Sequence, residues 1–381
     1  MKNKGFTLVE LLAVIAILAI LVIIALPNVL KMFNDSKKNS FLTEAKTVYS
    51  EVSKKYISES MKGNKLTYIS SEDDTKLDMT GKSLKYCVLL NADGSVKSMK
   101  VSNGEWIAEL PSGKKITDLK SSDLKDGNLD NEECGPKKPK TFKEDSWDTI
   151  ANAVRTGQTS KYNIGNTRVV DLGSYGKHTL RISNMSTPDE CNQEGFSQSA
   201  CGFVVEFTDI ITTHNMNPKG EYKGKTYDYG WNKDGWPASQ MKTFIDNDIY
   251  NSLPQDLKSV IITTETVSGH GSEDTNNFTS TDKLYLLSTA EVWAQGTSNT
   301  IDYDTARDKT RQLDYYNSKG VTTNSYASAI KKNSEGTAAW WWLRCALSNF
   351  NGTFYRVNNI GGWAGTAATL TAGVSPAFRI G

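Results

Sequence analysis

The chain has 381 residues, enough for two or three domains. Its 44 Lys and Arg against 43 Asp and Glu leave a formal net charge of +1, which argues against nucleic acid or another strongly acidic partner. Charged residues at 23% and aromatic residues at 10% are typical of globular proteins and argue against intrinsic disorder.

The N-terminal segment is short and basic and leads into an apolar run from Leu11 to Leu26. One carboxylate, Glu10, lies at the start of this membrane-grade stretch. A carboxylate deep in a bilayer costs roughly 2.5 to 3.5 kcal/mol, and less near the interface, so such a group indicates a functional partner. If the chain were cut after Gly5, the new amino group of Phe6 on a neighbouring copy would be that partner.

This segment, GFTLVE at residues 5–10 followed by the apolar run, resembles the leader and first helix of type IV pilins and related pseudopilins. The resemblance covers about the first sixty residues. It implies that prepilin peptidase removes residues 1–5, cleaving after Gly5, and methylates the amine of Phe6. It also implies that Glu10 helps to dock each incoming subunit, so that other pilin subunits are partners and the membrane holds the chain before assembly.

Two other interpretations of the N-terminus remain open. A basic head and a short apolar core fit a secretory signal peptide, although no small-residue cleavage site follows Leu26 cleanly. A plain single-span anchor is the other, although Leu11 to Leu26 is shorter than the roughly 20 residues needed unless Phe6 to Val9 extends it. Neither interpretation accounts for Glu10.

One long helix is predicted over residues 6–62, with its membrane part at 6–26 and a length of about 80 Å. Beyond the membrane part, apolar residues recur every three or four positions and form one stripe: Phe41, Ala45, Val48, Val52 and Tyr56. Pro27 lies inside the helix and removes one hydrogen bond, which predicts a kink or local melting near Ile23 to Pro27. The family's pilins also carry a proline here, so the resemblance adds Pro27 to the assembly residues.

A small antiparallel β head is predicted over residues 63–134. Tyr86 to Leu90 and Val96 to Val101 form a hairpin with Asp93-Gly94 at its turn. As in pilin heads, this sheet would cover the apolar stripe of the helix. The exposed, charged and proline-containing stretch 135–140 is predicted to be a linker.

Asp126, Asn128 and Asp130 alternate like the first three ligands of a calcium loop. Asn131 stands where that loop requires glycine, and Lys137 where it requires a bidentate glutamate. A solvated acidic loop is therefore the preferred interpretation, with calcium as the open alternative and no metal site predicted.

Residues 141–381 form the predicted C-terminal surface domain, with few long helices. Helices are expected at Trp147 to Val154 and Ser239 to Tyr250. Strands are expected at Arg168 to Leu172, Thr179 to Ile182, Gly202 to Thr208, Leu284 to Leu287, Thr353 to Val357 and Ala377 to Ile380.

Four blocks of this domain resemble an uncharacterised bacterial surface domain of the C-type-lectin-like and sulfatase-modifying-factor kind. They are Gly235 to Ser239, Asp282 to Ser288, Trp341 to Arg344 and Gly373 to Ile380. Cys345 stands where the family has serine, and Ser375 where it has arginine, which puts in doubt any site built around that arginine. The resemblance implies a fold, and the predicted fold class is α+β.

Five cysteines leave one unpaired if the chain is exported. Cys191 is expected to pair with Cys201, because the two close a short polar loop, and Cys87 is expected to pair with Cys134. Cys345 would be the free, buried thiol. Reduced structural thiols remain the alternative.

No catalytic pattern emerges from the sequence. Its three histidines, His178, His214 and His270, lack metal-ligand spacing, and no phosphate loop, dinucleotide motif or nucleophile elbow occurs. An enzyme and a cofactor are therefore not expected.

Aromatic segments give two candidate ligand surfaces. Alternate residues of a strand face opposite ways, so at least one of Trp340 to Trp342 belongs to the core, and Arg344 can simply stack on a ring. With that alternative open, Trp341 and Arg344 are candidates. A loop in the stretch His214 to Trp236 supplies four more, with a folded-back cover loop as the alternative: Tyr222, Tyr227, Tyr229 and Trp231.

The sequence thus predicts a pilin-like subunit, in a minor or tip position, that displays a domain for adhesion to a host or surface glycan or protein. It would begin as a single-pass cytoplasmic membrane protein and end in an extracellular pilus. A major subunit that decorates the whole fibre is one alternative. A pseudopilin of a type II secretion or DNA-uptake apparatus and a membrane-anchored binding protein that never assembles are the others.

Overall fold

The computed structural model describes residues 7–64, 66–72, 75–79, 83–129, 134–135 and 139–381. Gly5, Phe6 and Asp130 therefore lie outside the described residues. Contacts between residues divide the chain into two compact units, Met1–Lys137 and Lys138–Gly381, called here the N-terminal and the C-terminal unit.

Helix α1, Leu8–Met61, is the predicted long helix and contains 54 residues. Thr7 caps its start, because the Thr7 side chain accepts a hydrogen bond from the Glu10 backbone while the Glu10 carboxylate accepts one from the Thr7 backbone. The helix continues without interruption through Pro27, so the predicted local melting is not found. After Lys62 the chain turns at Gly63, whose φ of +84° suits glycine.

The two halves of α1 differ in burial. Every described residue from Thr7 to Lys37 is exposed, and an apolar window in this part has a mean hydropathy of 3.2, which makes α1 long and apolar enough to cross a membrane. Farther along, the stripe predicted from the sequence is buried at Phe41, Ala45, Val48 and Val52 and half-buried at Tyr56. The first half therefore requires an apolar environment that the rest of the N-terminal unit does not supply.

Five strands complete the N-terminal unit: β1 (Tyr68–Ser70), β2 (Lys85–Leu90), β3 (Val96–Ser102), β4 (Trp106–Leu110) and β5 (Lys125–Asp126). They pair antiparallel in the order β1-β2-β3-β4-β5, and buried residues alternate along β2 and β4. Their inner faces form one core with the stripe of α1. Gly94 closes the predicted hairpin at φ +82°, and its Cα lies against the Tyr56 ring, where a Cβ would collide at 2.2 Å.

The C-terminal unit contains six short helices: α2 (Trp147–Thr156), α3 (Gln240–Phe244), α4 (Tyr250–Ser252), α5 (Gln255–Lys258), α6 (Thr289–Val292) and α7 (Asp314–Ser318). Its strands are β6 (Thr167–Asp171), β7 (Lys177–Asn184), β8 (Val204–Phe207), β9 (Thr212–Asn215), β10 (Gly220–Tyr222), β11 (Lys225–Tyr227), β12 (Ile261–Ile262), β13 (Thr264–Ser268), β14 (Phe278–Asp282), β15 (Lys331–Lys332), β16 (Ala338–Ala339), β17 (Trp341–Ala346), β18 (Thr353–Val357), β19 (Trp363–Ala367), β20 (Thr371–Val374) and β21 (Ala377–Ile380).

Two five-stranded sheets organise these strands. One is antiparallel in the order β12-β21-β8-β7-β6, and the other has the order β19-β18-β17-β20-β9 with one parallel pair, β17 and β20. Three two-stranded ladders, β10-β11, β13-β14 and β15-β16, complete the unit. A long helix followed by mainly antiparallel sheets confirms the predicted α+β class.

Strand β17 serves both cores of the C-terminal unit. Trp342 joins one cluster with residues of α2, β7 and α3, whereas Trp341, Leu343 and Cys345 join the other with Trp293. The alternation follows from the pleat of a strand that is buried on both faces.

Two predicted elements of this unit differ from the structure. Leu284 to Leu287 is not a strand; only Tyr285 forms a bridge, to Ala377, and the Leu286 carbonyl accepts instead from the Arg344 side chain. The helix predicted at Ser239 to Tyr250 is divided by a π-helical turn at Ile245–Ile249.

The structure has disulfides between Cys87 and Cys134 and between Cys191 and Cys201. Cys345 is the free cysteine and is buried. Burial raises the pKa of its thiol well above the usual range, so this thiol is inert at neutral pH.

Candidate functional site

The start of α1 brings Glu10 and Thr7 together. The Glu10 carboxylate accepts hydrogen bonds from the Thr7 backbone at 2.9 Å and from the Thr7 hydroxyl at 2.8 Å. These bonds satisfy one oxygen of the carboxylate locally but supply no opposite charge. Gly5 and Phe6 lie outside the described residues, so the predicted pairing of Glu10 with the Phe6 amine stays a prediction.

Around and beyond Glu10, large apolar side chains are exposed on every side of α1. They include Leu8, Val9, Leu11, Leu12, Ile15, Leu18, Leu21, Ile24, Leu26, Leu30 and Phe33. A surface of this kind is stable only in lipid or against other apolar helices. Pro27 lies within it, at a position where the helix remains continuous.

The predicted aromatic loop is mostly a packed structure. Trp231 and Tyr227 are buried, and Tyr222 stacks on Trp231 with ring centroids 4.8 Å apart. The Tyr222 hydroxyl donates to Asp234, and burial together with this carboxylate raises the pKa of Tyr222 to about 12. The prediction of a binding surface is therefore wrong for Trp231 and Tyr227, whose rings fold the loop onto the domain.

Tyr229 is the member of this loop that remains available, with 70% of its surface exposed. The backbone holds it in place, since the Tyr229 carbonyl accepts from the Thr369 amide at 3.2 Å. A phenol ring on an anchored backbone can contact a ligand at little conformational cost.

Trp341 and Arg344 are fully buried, so the prediction of a ligand surface at these residues is wrong. The Arg344 guanidinium forms two hydrogen bonds with the Glu291 carboxylate, at 2.7 and 2.5 Å. The Trp341 indole donates to the Ala329 carbonyl at 3.1 Å, and the Lys331 ammonium lies 4.3 Å from its ring centroid. Both side chains stabilise the interior of the domain.

The exposed member of the tryptophan triplet is Trp340, with 41% of its surface accessible. The guanidinium carbon of Arg356, in β18, lies 3.4 Å from the Trp340 ring centroid. Sequence reasoning missed Arg356. Trp340 directly precedes β17, so the alternation of side chains could have placed it on the same face as Trp342. Its contact with Arg356 depends on the register between β17 and β18, which sets Trp342 opposite Arg356.

Among the described residues, no group of three or more His, Cys, Asp or Glu could hold a metal ion. Asp126, from the possible calcium loop, lies in β5 opposite Trp106. Asp130 lies outside the described residues, so the loop cannot be assembled from them.

Two family profiles match the chain. Residues 1–26 match the prokaryotic N-terminal methylation motif, and residues 208–381 match a domain of unknown function, DUF6273. No curated protein and no solved structure matches the chain, so the C-type-lectin-like resemblance stays a prediction. The methylation motif and the apolar helix behind it support a type IV pilin-like or pseudopilin subunit that carries a C-terminal domain of unknown function.

Proposed function

We propose that the chain is a minor or tip subunit of a type IV pilus and that its C-terminal unit is a binding domain for adhesion. In this proposal prepilin peptidase cleaves after Gly5 and methylates Phe6, and the mature chain passes from the membrane into an extracellular filament. The observation that supports it most is the exposure of the apolar stretch Leu8 to Leu26 of α1, where Glu10 is the one charged residue.

Assembly follows from the two halves of α1. The second half already buries its stripe against the sheet of the N-terminal unit, so it needs no further apolar partner. The first half, apolar all round, is stable in lipid and equally stable in a bundle of identical helices. Moving the first half of α1 from lipid into the bundle therefore costs little free energy, and pairing of Glu10 with the Phe6 amine of a neighbouring subunit favours the bundle.

Display of a binding domain is supported by the size and surface of the C-terminal unit. Residues 138–381 form their own cores, so this unit does not depend on the filament helices for its packing. Exposed aromatic rings at Tyr229 and Trp340 provide contact area of the kind found in binding sites. A domain of this size on every subunit would crowd a filament, which favours a minor or tip position.

Replacing Glu10 with Ala tests the assembly proposal. The variant should still insert into the membrane, because the change makes the apolar segment more apolar, but it should lose assembly since the Phe6 amine has no partner. The measurement is the amount of protein in sheared surface filaments relative to the membrane fraction. The same samples, analysed by intact mass, should begin at Phe6 with one added methyl group.

The matched control is Glu51→Ala, which removes a carboxylate from the same helix outside its apolar half. This control should assemble like the wild type. Equal filament amounts for Glu10→Ala and the wild type, or a mature chain that begins at Met1, would contradict the proposal. Short structures confined to the cell envelope in place of surface filaments would indicate a pseudopilin.

A further inference from the structure

A guanidinium without a carboxylate partner lies in the second sheet of the C-terminal unit. Arg356 stands in β18, opposite Trp342 of β17 on one side and Ala364 of β19 on the other. Its Nε donates to the hydroxyl of Thr366. This is the one hydrogen bond that the Arg356 side chain forms with any residue that the structure describes, and its Nη1 is buried without an acceptor.

The buried cations Arg344 and Lys331 differ from Arg356, because each has a carboxylate partner, Glu291 for Arg344 and Glu206 for Lys331. Arg356 is 9% exposed, and burial lowers the pKa of its guanidinium without any described carboxylate to oppose the shift. Because an arginine stays charged in proteins, this group carries a positive charge that no carboxylate in the described part of the chain neutralises.

Trp340 contacts the Arg356 guanidinium and is itself partly exposed to solvent. The guanidinium carbon lies 3.4 Å from the ring centroid, and this contact together with the Thr366 hydrogen bond leaves little side-chain freedom to be lost when a ligand binds. The neighbour on β19 is the small Ala364, followed by the exposed Gly365. No bulky side chain on that strand therefore stands opposite Arg356.

We propose that Arg356 and Trp340 form a binding site for an acidic saccharide, with Arg356 binding the sugar carboxylate and Trp340 contacting the sugar ring. Because Nε is occupied by Thr366 and Nη1 is buried, Nη2 is the nitrogen that would donate to the sugar carboxylate, and the charge makes this bond stronger than one to a neutral sugar. An indole packs against the apolar face of a pyranose ring. A neutral saccharide would leave the buried charge unpaired, so the site prefers uronic or other carboxylated sugars.

This inference rests on the proposed binding function of the C-terminal unit and specifies its ligand. The test uses the full-length protein in detergent and an array of uronic-acid oligosaccharides, each beside its carboxyl-methyl ester and a neutral counterpart. We expect the wild type to bind the free acids about tenfold or more tightly than the esters, because the ester removes the charge-assisted bonds. An acidic peptide series is included on the same array.

Arg356→Gln should abolish the preference for free acids, and Trp340→Ala should weaken binding of acids and esters alike. Arg356→Lys keeps the charge but not the planar guanidinium beside Trp340 and should retain a reduced preference; it also serves if Arg356→Gln does not fold. The control is Arg155→Gln, which removes the same charge from an exposed position of the same unit and should bind like the wild type.

The outcomes separate this inference from the proposal on which it rests. Saccharide binding that ignores the carboxylate and survives Arg356→Gln overturns the acidic site but leaves the binding domain. An array on which neither a saccharide nor an acidic peptide binds overturns both, whereas binding of acidic peptides without acidic saccharides overturns only the ligand class. A preference for free acids that Arg155→Gln also removes would reduce the effect to net charge and overturn the site.

Discussion

At the scale of residues, the buried charge of Glu206 in the C-terminal unit is neutralised by side chains far from it in the sequence. Glu206 is fully buried and accepts from Arg181 at 2.7 Å and from Lys331 at 2.8 Å, residues 25 and 125 positions away. Burial opposes ionisation of Glu206, but the two cations outweigh it and lower its pKa to about 2. No local sequence pattern indicates that a charged residue has such a distant partner. For the same reason, sequence patterns alone placed Arg344 among the candidate surface residues.

Removing one partner of the buried Arg344–Glu291 pair should destabilise the C-terminal unit. In Glu291→Ala the Arg344 guanidinium stays buried without its carboxylate, and α6 loses its capping box, so we expect a loss of about 3 to 5 kcal/mol in the free energy of unfolding. Tryptophan fluorescence in denaturant measures this loss, because eight of the nine tryptophans lie in the C-terminal unit and only Trp106 precedes it.

The matched control is Glu265→Ala, which removes an exposed carboxylate from β13 of the same unit. Surface changes of this kind alter stability little. An unfolding midpoint for Glu291→Ala equal to that of the control would show that the pair contributes nothing.

His178 should make the stability of this unit depend on pH. Its two ring nitrogens lie 2.9 Å from the Asp209 carboxylate and 2.9 Å from the Tyr175 carbonyl, and two acceptors require a doubly protonated ring. Burial lowers the pKa of His178, but these two acceptors outweigh it and raise the pKa above its usual value. The stabilisation is therefore complete below about pH 6.5 and is lost as the pH rises through the folded-state pKa.

Denaturant midpoints measured between neutral and acidic pH test this sign. The difference between the wild type and His178→Gln should be largest in acid and shrink as the pH rises. A difference that grows towards higher pH would mean that the folded state favours the neutral ring.

At the scale of elements, local sequence patterns predicted the structures that depend on interactions within a short segment. The stripe of α1 and the Asp93-Gly94 turn are properties of short segments, so the long helix and the β2–β3 hairpin follow from them. Leu284 to Leu287 has the composition of a strand, yet its Leu286 carbonyl is taken by the Arg344 side chain, 58 positions away. A competing hydrogen bond from a side chain so distant in the sequence cannot be predicted from a window of a few residues.

The Cys87–Cys134 disulfide should stabilise the N-terminal unit. It joins residues 47 positions apart, and the chain-entropy estimate for a loop of this length is about 4 kcal/mol. We expect the double variant Cys87→Ser/Cys134→Ser to exchange the amide hydrogens of β2 and β3 faster, as mass spectrometry of peptides can measure.

Removal of the other disulfide, in Cys191→Ser/Cys201→Ser, is the paired control. It closes a separation of 10 residues, with an estimate of about 3 kcal/mol, and should accelerate exchange only in the C-terminal unit. Unchanged exchange in β2 and β3 after loss of Cys87 and Cys134 would show that the helix stripe alone holds this sheet.

At the scale of the whole molecule, the sequence predicted a helix, a small sheet and a larger second domain in the observed order. The candidate site was harder to predict, because the exposure of each side chain depends on the register of strands that are distant in the sequence and pair within the domain. Of six aromatic or basic candidates, four are buried, namely Tyr227, Trp231, Trp341 and Arg344, while Tyr229 is exposed. Arg356, which no motif marks, acquires its role only through its neighbours on β17 and β19.

The position of β21 sets an order of events during export. The N-terminal unit has all five of its strands once Asp126 has been synthesised, whereas the first sheet of the C-terminal unit lacks an inner strand until Ala377–Ile380 arrives between β12 and β8. A chain that crosses the membrane gradually would therefore hold its second unit open to chaperones and proteases until translocation reaches these residues.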